Sequence, residues 1–299
     1  MSESLLTGKC PCGGRAFRYV LLDVFTDTPF AGNPLAVFPQ AAGLEDEEMA
    51  RIARELNLSE TVFIVSHHPS RARLRIFTPG GEIPFAGHPT IGTAWLIRAL
   101  GWQANDDPLT LEEAVGDIPI TFDDDSVGFT TAQPLEVCES SLTRKTASQV
   151  LDLPLEAIAT APVRASCGMP FHLIALRDLD ALAHARVNTA ALETYLAEPA
   201  ERDLYLYVEL PERALRTRLF APAMGIPEDP ATGSAAAPLI GYLATRASSD
   251  AVQEWTIHQG VEMGRPSRIR GRVDPAGMAA PSITITGQAV AVGEGTLYL

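Results

Sequence analysis

Apolar positions along the chain fall into short runs with two different spacings. Residues 19–25 are apolar apart from Asp23, and residues 35–38 are apolar throughout, as expected of strands covered on both faces. A turn is expected at 26–29 between them. Residues 44–56 carry Met49, Ile52, Ala53 and Leu56 at helical spacing behind an acidic start. That pattern predicts a surface helix whose charge suits its dipole. Strands are expected at 61–65 and 74–78, then at 109–115, 118–122 and 127–131, with Gly116-Asp117 and Asp123-Asp124-Asp125 as turns. Further on, helices are expected at 141–153 and 189–196. Strands are expected at 168–176, 203–209, 215–220 and 283–286, with a closing strand at 296–299.

Two helical segments break the amphipathic rule. Residues 89–100 (Ile91, Trp95, Leu96, Ile97, Leu100) and 235–247 (Leu239, Ile240, Tyr242, Leu243) are apolar nearly all round. A helix without a polar face belongs in an interior.

These two helices are parts of a repeat. Arg75-Ile76-Phe77-Thr78-Pro79, then Pro84-Phe85-Ala86-Gly87-His88, then an apolar helix is answered by a second series. That series is Arg218-Leu219-Phe220-Ala221-Pro222, then Pro230-Ala231-Thr232-Gly233-Ser234, then an apolar helix. Upstream, Gly32-Asn33-Pro34 is matched by Gly168-Met169-Pro170. The arginines lie 143 residues apart (75 to 218) and the upstream glycines 136 apart (32 to 168), near half of the 299-residue chain. The reading is an α+β protein of two pseudo-repeated domains, each a sheet wrapped around one central apolar helix. The expected division is 17–134 and 135–299, with the last strand a candidate to pack on the first domain and 1–16 a polar leader with little to bury. Glycine at each helix start permits close backbone approach. The unbonded first-turn amides and the positive helix end form an anion cradle there. Two such ends facing one another would make a cleft for a small carboxylate or enolate.

Charge narrows the partners. With 23 Lys and Arg against 37 Asp and Glu, the formal net charge is −14, which opposes nucleic acid and an anionic membrane surface. No apolar run reaches the ~20 residues of a membrane span, and the N-terminus lacks a signal-peptide core, so a cytoplasmic protein is expected. The four cysteines, Cys10, Cys12, Cys138 and Cys167, lack the paired spacing of a zinc site. No metal and no disulfide are expected.

Four stretches resemble the PhzF-like proteins of the diaminopimelate-epimerase fold. They are Asp23-Val24-Phe25 through Gly32-Asn33-Pro34, Asn57-Leu58-Ser59-Glu60-Thr61, Phe77 through Gly87-His88-Pro89, and Glu228-Asp229-Pro230-Ala231-Thr232-Gly233-Ser234-Ala235. The resemblance spans about 19–299. It implies a cofactor-independent isomerase, active as a homodimer on a small-molecule carboxylate. It also implies Glu60 as general base, with His88 and Asp229 completing the catalytic group and Ser59, Gly87, Gly233 and Ser234 binding substrate. Related epimerases and racemases place a cysteine at each helix start. Here those positions hold Ala86 and Thr232, which excludes two-thiol inversion.

Taken alone, the residues allow plainer readings beside these. Glu60 fits a solvated loop carboxylate, His88 a first-turn residue satisfied by backbone, Asp229 a turn before Pro230, and Ser234 an N-cap. His67 and His68 need no role, and the ring of His172 either lines the cleft or sits in the sheet. Two other functions stay in view: a non-catalytic carboxylate-binding protein, and a non-thiol epimerase using Glu60 with an acid such as Asp229 on the opposite face.

Overall fold

The computed structural model describes residues 14–103, 108–247, 251–275 and 281–299. The first run of elements is β1 (Ala16–Val24), β2 (Asn33–Phe38), α1 (Asp46–Leu56), β3 (Glu60–His68), β4 (Arg71–Thr78), β5 (Gly81–Ile83), α2 (Gly87–Ala99), β6 (Leu109–Glu113), β7 (Gly116–Asp123) and β8 (Ser126–Thr130). The second opens with β9 (Glu136–Glu139), α3 (Arg144–Val150), β10 (Val163–Ser166), β11 (Pro170–Ala175), α4 (Leu179–His184), α5 (Thr189–Tyr195) and β12 (Leu204–Leu210). It continues through β13 (Ala214–Ala221), β14 (Ile226–Asp229), α6 (Gly233–Ala247), β15 (Gln253–Gln259), β16 (Ser267–Asp274), β17 (Ser282–Gly287) and β18 (Ala289–Tyr298).

Strand pairing repeats with the elements. β1 is antiparallel to β2, β2 parallel to β3, β3 antiparallel to β4, and β4 parallel to β6, which continues antiparallel to β7 and β8. β10, β11, β12, β13, β15, β16 and β17 pair with the same succession of orientations. β5 and β14 are short hairpin partners of β4 and β13. β8 pairs with β17, which joins the two runs, and β18 lies against β1 as β9 lies against β10. The last strand of the chain therefore extends the first run. Of the leader, residues 1–13, with Cys10 and Cys12, lie outside the described residues. Arg15 exchanges backbone hydrogen bonds of 2.9 Å with Leu299, and Ala16 already belongs to β1.

The apolar helices lie where their pattern requires. Ile91, Ala94 and Ile97 of α2 and Ala235, Leu239 and Ile240 of α6 are buried in one core cluster. α2 starts two residues before the expected 89, because Pro89 in the first turn forfeits no intrahelical hydrogen bond. A second cluster lies under α3, α4 and α5 and a third under α1. Sequence patterning does not reveal β5, β9, β10, β14 or α4. These elements are only three to six residues long, and β9 is exposed throughout, so no alternation marks them.

The repeated Arg-x-Phe has a packing reason. The Arg75 guanidinium forks onto Glu82 of β5 at 2.7 and 2.6 Å, and Arg218 forks onto Glu228 of β14 at 2.7 and 2.8 Å. Each arginine also lies over the ring two residues on, 5.1 Å from Phe77 and 4.8 Å from Phe220. Each fork holds the hairpin strand that leads into a helix start.

Candidate active site

The two helix starts meet. A Cβ on Gly87 would lie 3.0 Å from the Gly233 Cα and 3.0 Å from the Ser234 nitrogen, so only glycine permits this approach. The first-turn amides of Gly87, His88, Gly233 and Ser234 have no carbonyl one turn back within their helices. Beneath this contact lies the buried ring of Phe25, 3.1 Å from where a Gly233 Cβ would be.

Glu60 is the first residue of β3. Parallel pairing of β3 with β2 sets it beside Leu35, and it is only 7% exposed, so it is no solvated loop carboxylate. His88, the second residue of α2, is 3% exposed, and its Nε2 lies 3.5 Å from Glu60 Oε2. Neither of those atoms has a hydrogen-bond partner. Glu60, Asp229, Thr232 and Ser234 line one cleft, walled otherwise mostly by apolar side chains.

Asn33 joins these groups. Its Nδ2 approaches Asp229 Oδ1 at 2.8 Å, the Ala231 carbonyl at 3.0 Å and His88 Nδ1 at 3.2 Å, while Ser59 Oγ donates to its Oδ1 at 3.1 Å. Asn33 Nδ2 has two hydrogens for these three neighbours, and the Asp229 and Ala231 oxygens are the nearer acceptors. Asn33 is held from behind. Gly32 has φ +64°, and a Cβ there would meet the Val24 carbonyl oxygen at 2.3 Å. Arg265 binds the Gly32 and Ala31 carbonyls at 2.8 and 2.7 Å and Asp23 Oδ1 at 2.5 Å. Asp23, Gly32 and Asn33 thus form one loop clamp.

Both oxygens of Asp229 are engaged, Oδ1 by Asn33 and Oδ2 by Thr232 Oγ1 at 2.5 Å. Gln259 Nε2 donates to the Asp229 carbonyl at 2.8 Å and to Thr232 Oγ1 at 2.9 Å, and Tyr205 OH donates to Gln259 Oε1 at 3.0 Å. Thr232 serves here as a hydrogen-bond donor to Asp229. The amides of Ala235 and Ala236 bond back to the Thr232 carbonyl, so Ser234 lies inside the helix rather than capping it.

Burial raises the Glu60 carboxyl well above the usual carboxylate range, and the Asp229 charge raises it further. Burial raises Asp229 too, but hydrogen bonds from Thr232 and Asn33 draw it back. Of the pair, Glu60 has the higher proton affinity and Asp229 gives up its proton first. Burial also pushes the His88 imidazole down to about 3, which keeps it neutral.

Asn33, Gln259 and Tyr205 escape sequence reasoning about the site, although Asn33 stands in a repeated Gly-x-Pro motif. His172 is settled by the sheet: it is 1% exposed, with Nδ1 2.7 Å from Ser140 Oγ, away from the cleft. His67 packs on Trp102 at 4.7 Å. Cys138 is exposed in β9, burial pushes the Cys167 thiol up to about 12, and neither stands at a helix start. Among the described residues, no group of three or more His, Cys, Asp or Glu side chains is arranged to hold a metal ion, and no helix is long and apolar enough to cross a membrane.

Residues 22–295 match the family model described as phenazine biosynthesis-like protein. The chain is 38% identical over 288 residues to the trans-2,3-dihydro-3-hydroxyanthranilate isomerase of Pseudomonas aeruginosa, covering 94% of this chain and 99% of that one. Among solved structures, the PhzF-family phenazine biosynthesis protein of Bacillus anthracis superposes with TM-score 0.87 at 25% identity, over 95% of this chain and 100% of the other. A hydroxyproline epimerase of Agrobacterium vitis shares the fold alone, with TM-score 0.63 at 17% identity, over 95% and 93% of the two chains.

Proposed function

The chain belongs to the phenazine biosynthesis-like protein family, and on that premise we propose that this isomerase moves a proton within a small carboxylate through Glu60. One observation carries the reading: Glu60 is buried in the cleft with one oxygen free of any protein partner, beside the Nε2 of a neutral His88. The substrate carboxylate rests on the first-turn amides of Gly87, His88, Gly233 and Ser234, where helix dipoles favour negative charge. Ionised Glu60 takes a proton from one carbon. The C–H electron pair moves into the conjugated system, and the same carboxyl returns the proton to another carbon as the new C–H bond forms. No electron is gained or lost, so the step needs no redox partner. A carboxyl with raised proton affinity suits both halves of that exchange. Asp229, held by Asn33 and Thr232, positions the loop and biases Glu60.

Trans-2,3-dihydro-3-hydroxyanthranilate, named for the Pseudomonas relative, is the first compound to test. In heavy water the protein should introduce deuterium at carbon during isomerisation, and Glu60→Gln should abolish it. Exchange by Glu60→Gln at the parent rate would refute the base. Binding without exchange would identify a carboxylate-binding protein. Loss of optical activity in an enantiopure substrate would identify an epimerase.

A further inference from the structure

The internal repeat assigns a partner position to Glu60. Antiparallel pairing sets Thr61 opposite Phe77 in the first run and Leu204 opposite Phe220 in the second. Phe77 and Phe220 are the equivalent rings of the two Arg-x-Phe motifs, so Thr61 corresponds to Leu204 and Glu60 to Asp203. The parallel pairs agree. Leu35 sits beside Glu60 in one run, and in the other the register that pairs His172 with Leu204 sets Phe171 beside Asp203. Leu35 and Phe171 each follow the proline of their Gly-x-Pro motif.

Asp203 also lines the same cleft as Glu60. It is 7% exposed, among apolar neighbours that include Phe171, Leu219 and Ile226. Among the described residues, no hydrogen bond or ion pair reaches its carboxyl, although its backbone carbonyl accepts from His172 at 2.9 Å. A buried acid without a partner costs stability and contributes nothing to packing that an apolar residue would not. Its place in the lining of the cleft, within reach of a ligand group, supplies the missing reason.

We infer that Asp203 is a substrate-contacting residue that accepts hydrogen bonds from an amino group of the substrate, on the side of the helix starts opposite Glu60. A carboxyl with two bare oxygens matches an amino group, which has hydrogens for both, better than a hydroxyl, which has one. The substrate class is then a small amino carboxylate, with its carboxylate on the helix-start amides and its nitrogen against Asp203. Burial raises Asp203 to about 7, so the contact strengthens as the carboxyl ionises above that pH.

The inference rests on the cleft being the substrate site, and its test is separable from that of Glu60. Calorimetric titration at pH 8 compares anthranilate (2-aminobenzoate) with benzoate on the parent chain, Asp203→Asn and Glu60→Gln. The parent should prefer anthranilate by about tenfold or more, the worth of one or two hydrogen bonds to a charged group. Asp203→Asn should lose most of that preference while binding benzoate within about threefold of the parent, and Glu60→Gln should keep it. The parent preference should also shrink between pH 8 and pH 6. Equal affinities on the parent, or an undiminished preference in Asp203→Asn, overturn the assignment. If heavy-water exchange persists in that case, the Glu60 reading stands. A preference that depends on Asp203 in a protein without exchange upholds the assignment and refutes the isomerase step. Failure of both ligands to bind overturns the assignment, and heavy-water exchange decides the Glu60 reading separately.

Discussion

Glu113, at the end of β6, reports on the electrostatics of the interior with no substrate required. It is 5% exposed, accepts a hydrogen bond from Thr90 of α2 at 2.7 Å, and has a second oxygen without a partner. Burial pushes its carboxyl from 4.5 up to about 8. The folded state therefore holds this proton more tightly than the unfolded chain does. The stability this confers is fully present below about pH 4.5 and is lost as pH rises to about 8. At about 1.4 kcal/mol per pH unit, a window of about 3.5 units gives a ceiling of about 5 kcal/mol, lowered by any water that enters. Glu113→Gln keeps the shape and has nothing to ionise. Urea unfolding of both proteins from pH 4.5 to pH 9 should show the variant gaining on the parent by up to about 1.4 kcal/mol per unit, then levelling. Glu60, Asp203 and Asp229 titrate in both proteins, so the difference isolates Glu113. A difference that stays flat across the range would refute the argument.

Two further substitutions test packing and pairing. Arg218→Met strands a largely buried Glu228 and should cost about 3–5 kcal/mol in chemical denaturation. Arg75→Met breaks the equivalent but more exposed fork to Glu82 and should cost about 1 kcal/mol or less, so equal losses would contradict the role given to burial. Gly287→Ala brings a Cβ to 2.3 Å from Phe25 Cδ1, and that ring is pinned beneath Gly233. A loss of about 1–3 kcal/mol is expected, against little change for Gly80→Ala, whose Cβ meets only Thr78 Oγ1 at 3.5 Å. Equal melting temperatures for the two variants would count against a rigid platform under the helix start.

Much of the fold is legible in local pattern because local pattern is what a helix or strand imposes. The all-apolar stretches that became α2 and α6 announce burial by lacking a polar face, and the Arg-x-Phe-x-Pro repeat announces duplication. The same 143-residue spacing that links Arg75 to Arg218 also links Glu60 to Asp203, a signal present in the sequence but mute without the strand registers. The brief elements β5, β9 and β14 carry no such pattern. Pairing with neighbours, rather than their own residues, makes them strands.

The site divides in the same way. Glycine before each apolar helix is enough to suggest an amide cradle, since the unbonded first-turn donors follow from helix geometry wherever a helix begins. That Gly87 meets Gly233, that Asn33 reaches Asp229 across 196 residues, and that Glu60 is buried rather than solvated depend on how two distant runs are brought together. A side chain's proton affinity is set by what surrounds it, and for Glu60 and Asp229 part of those surroundings comes from the other half of the chain. Residue identity determined which groups were available for chemistry. Only tertiary packing decided which of them lost their water, and with it which could hold or release a proton.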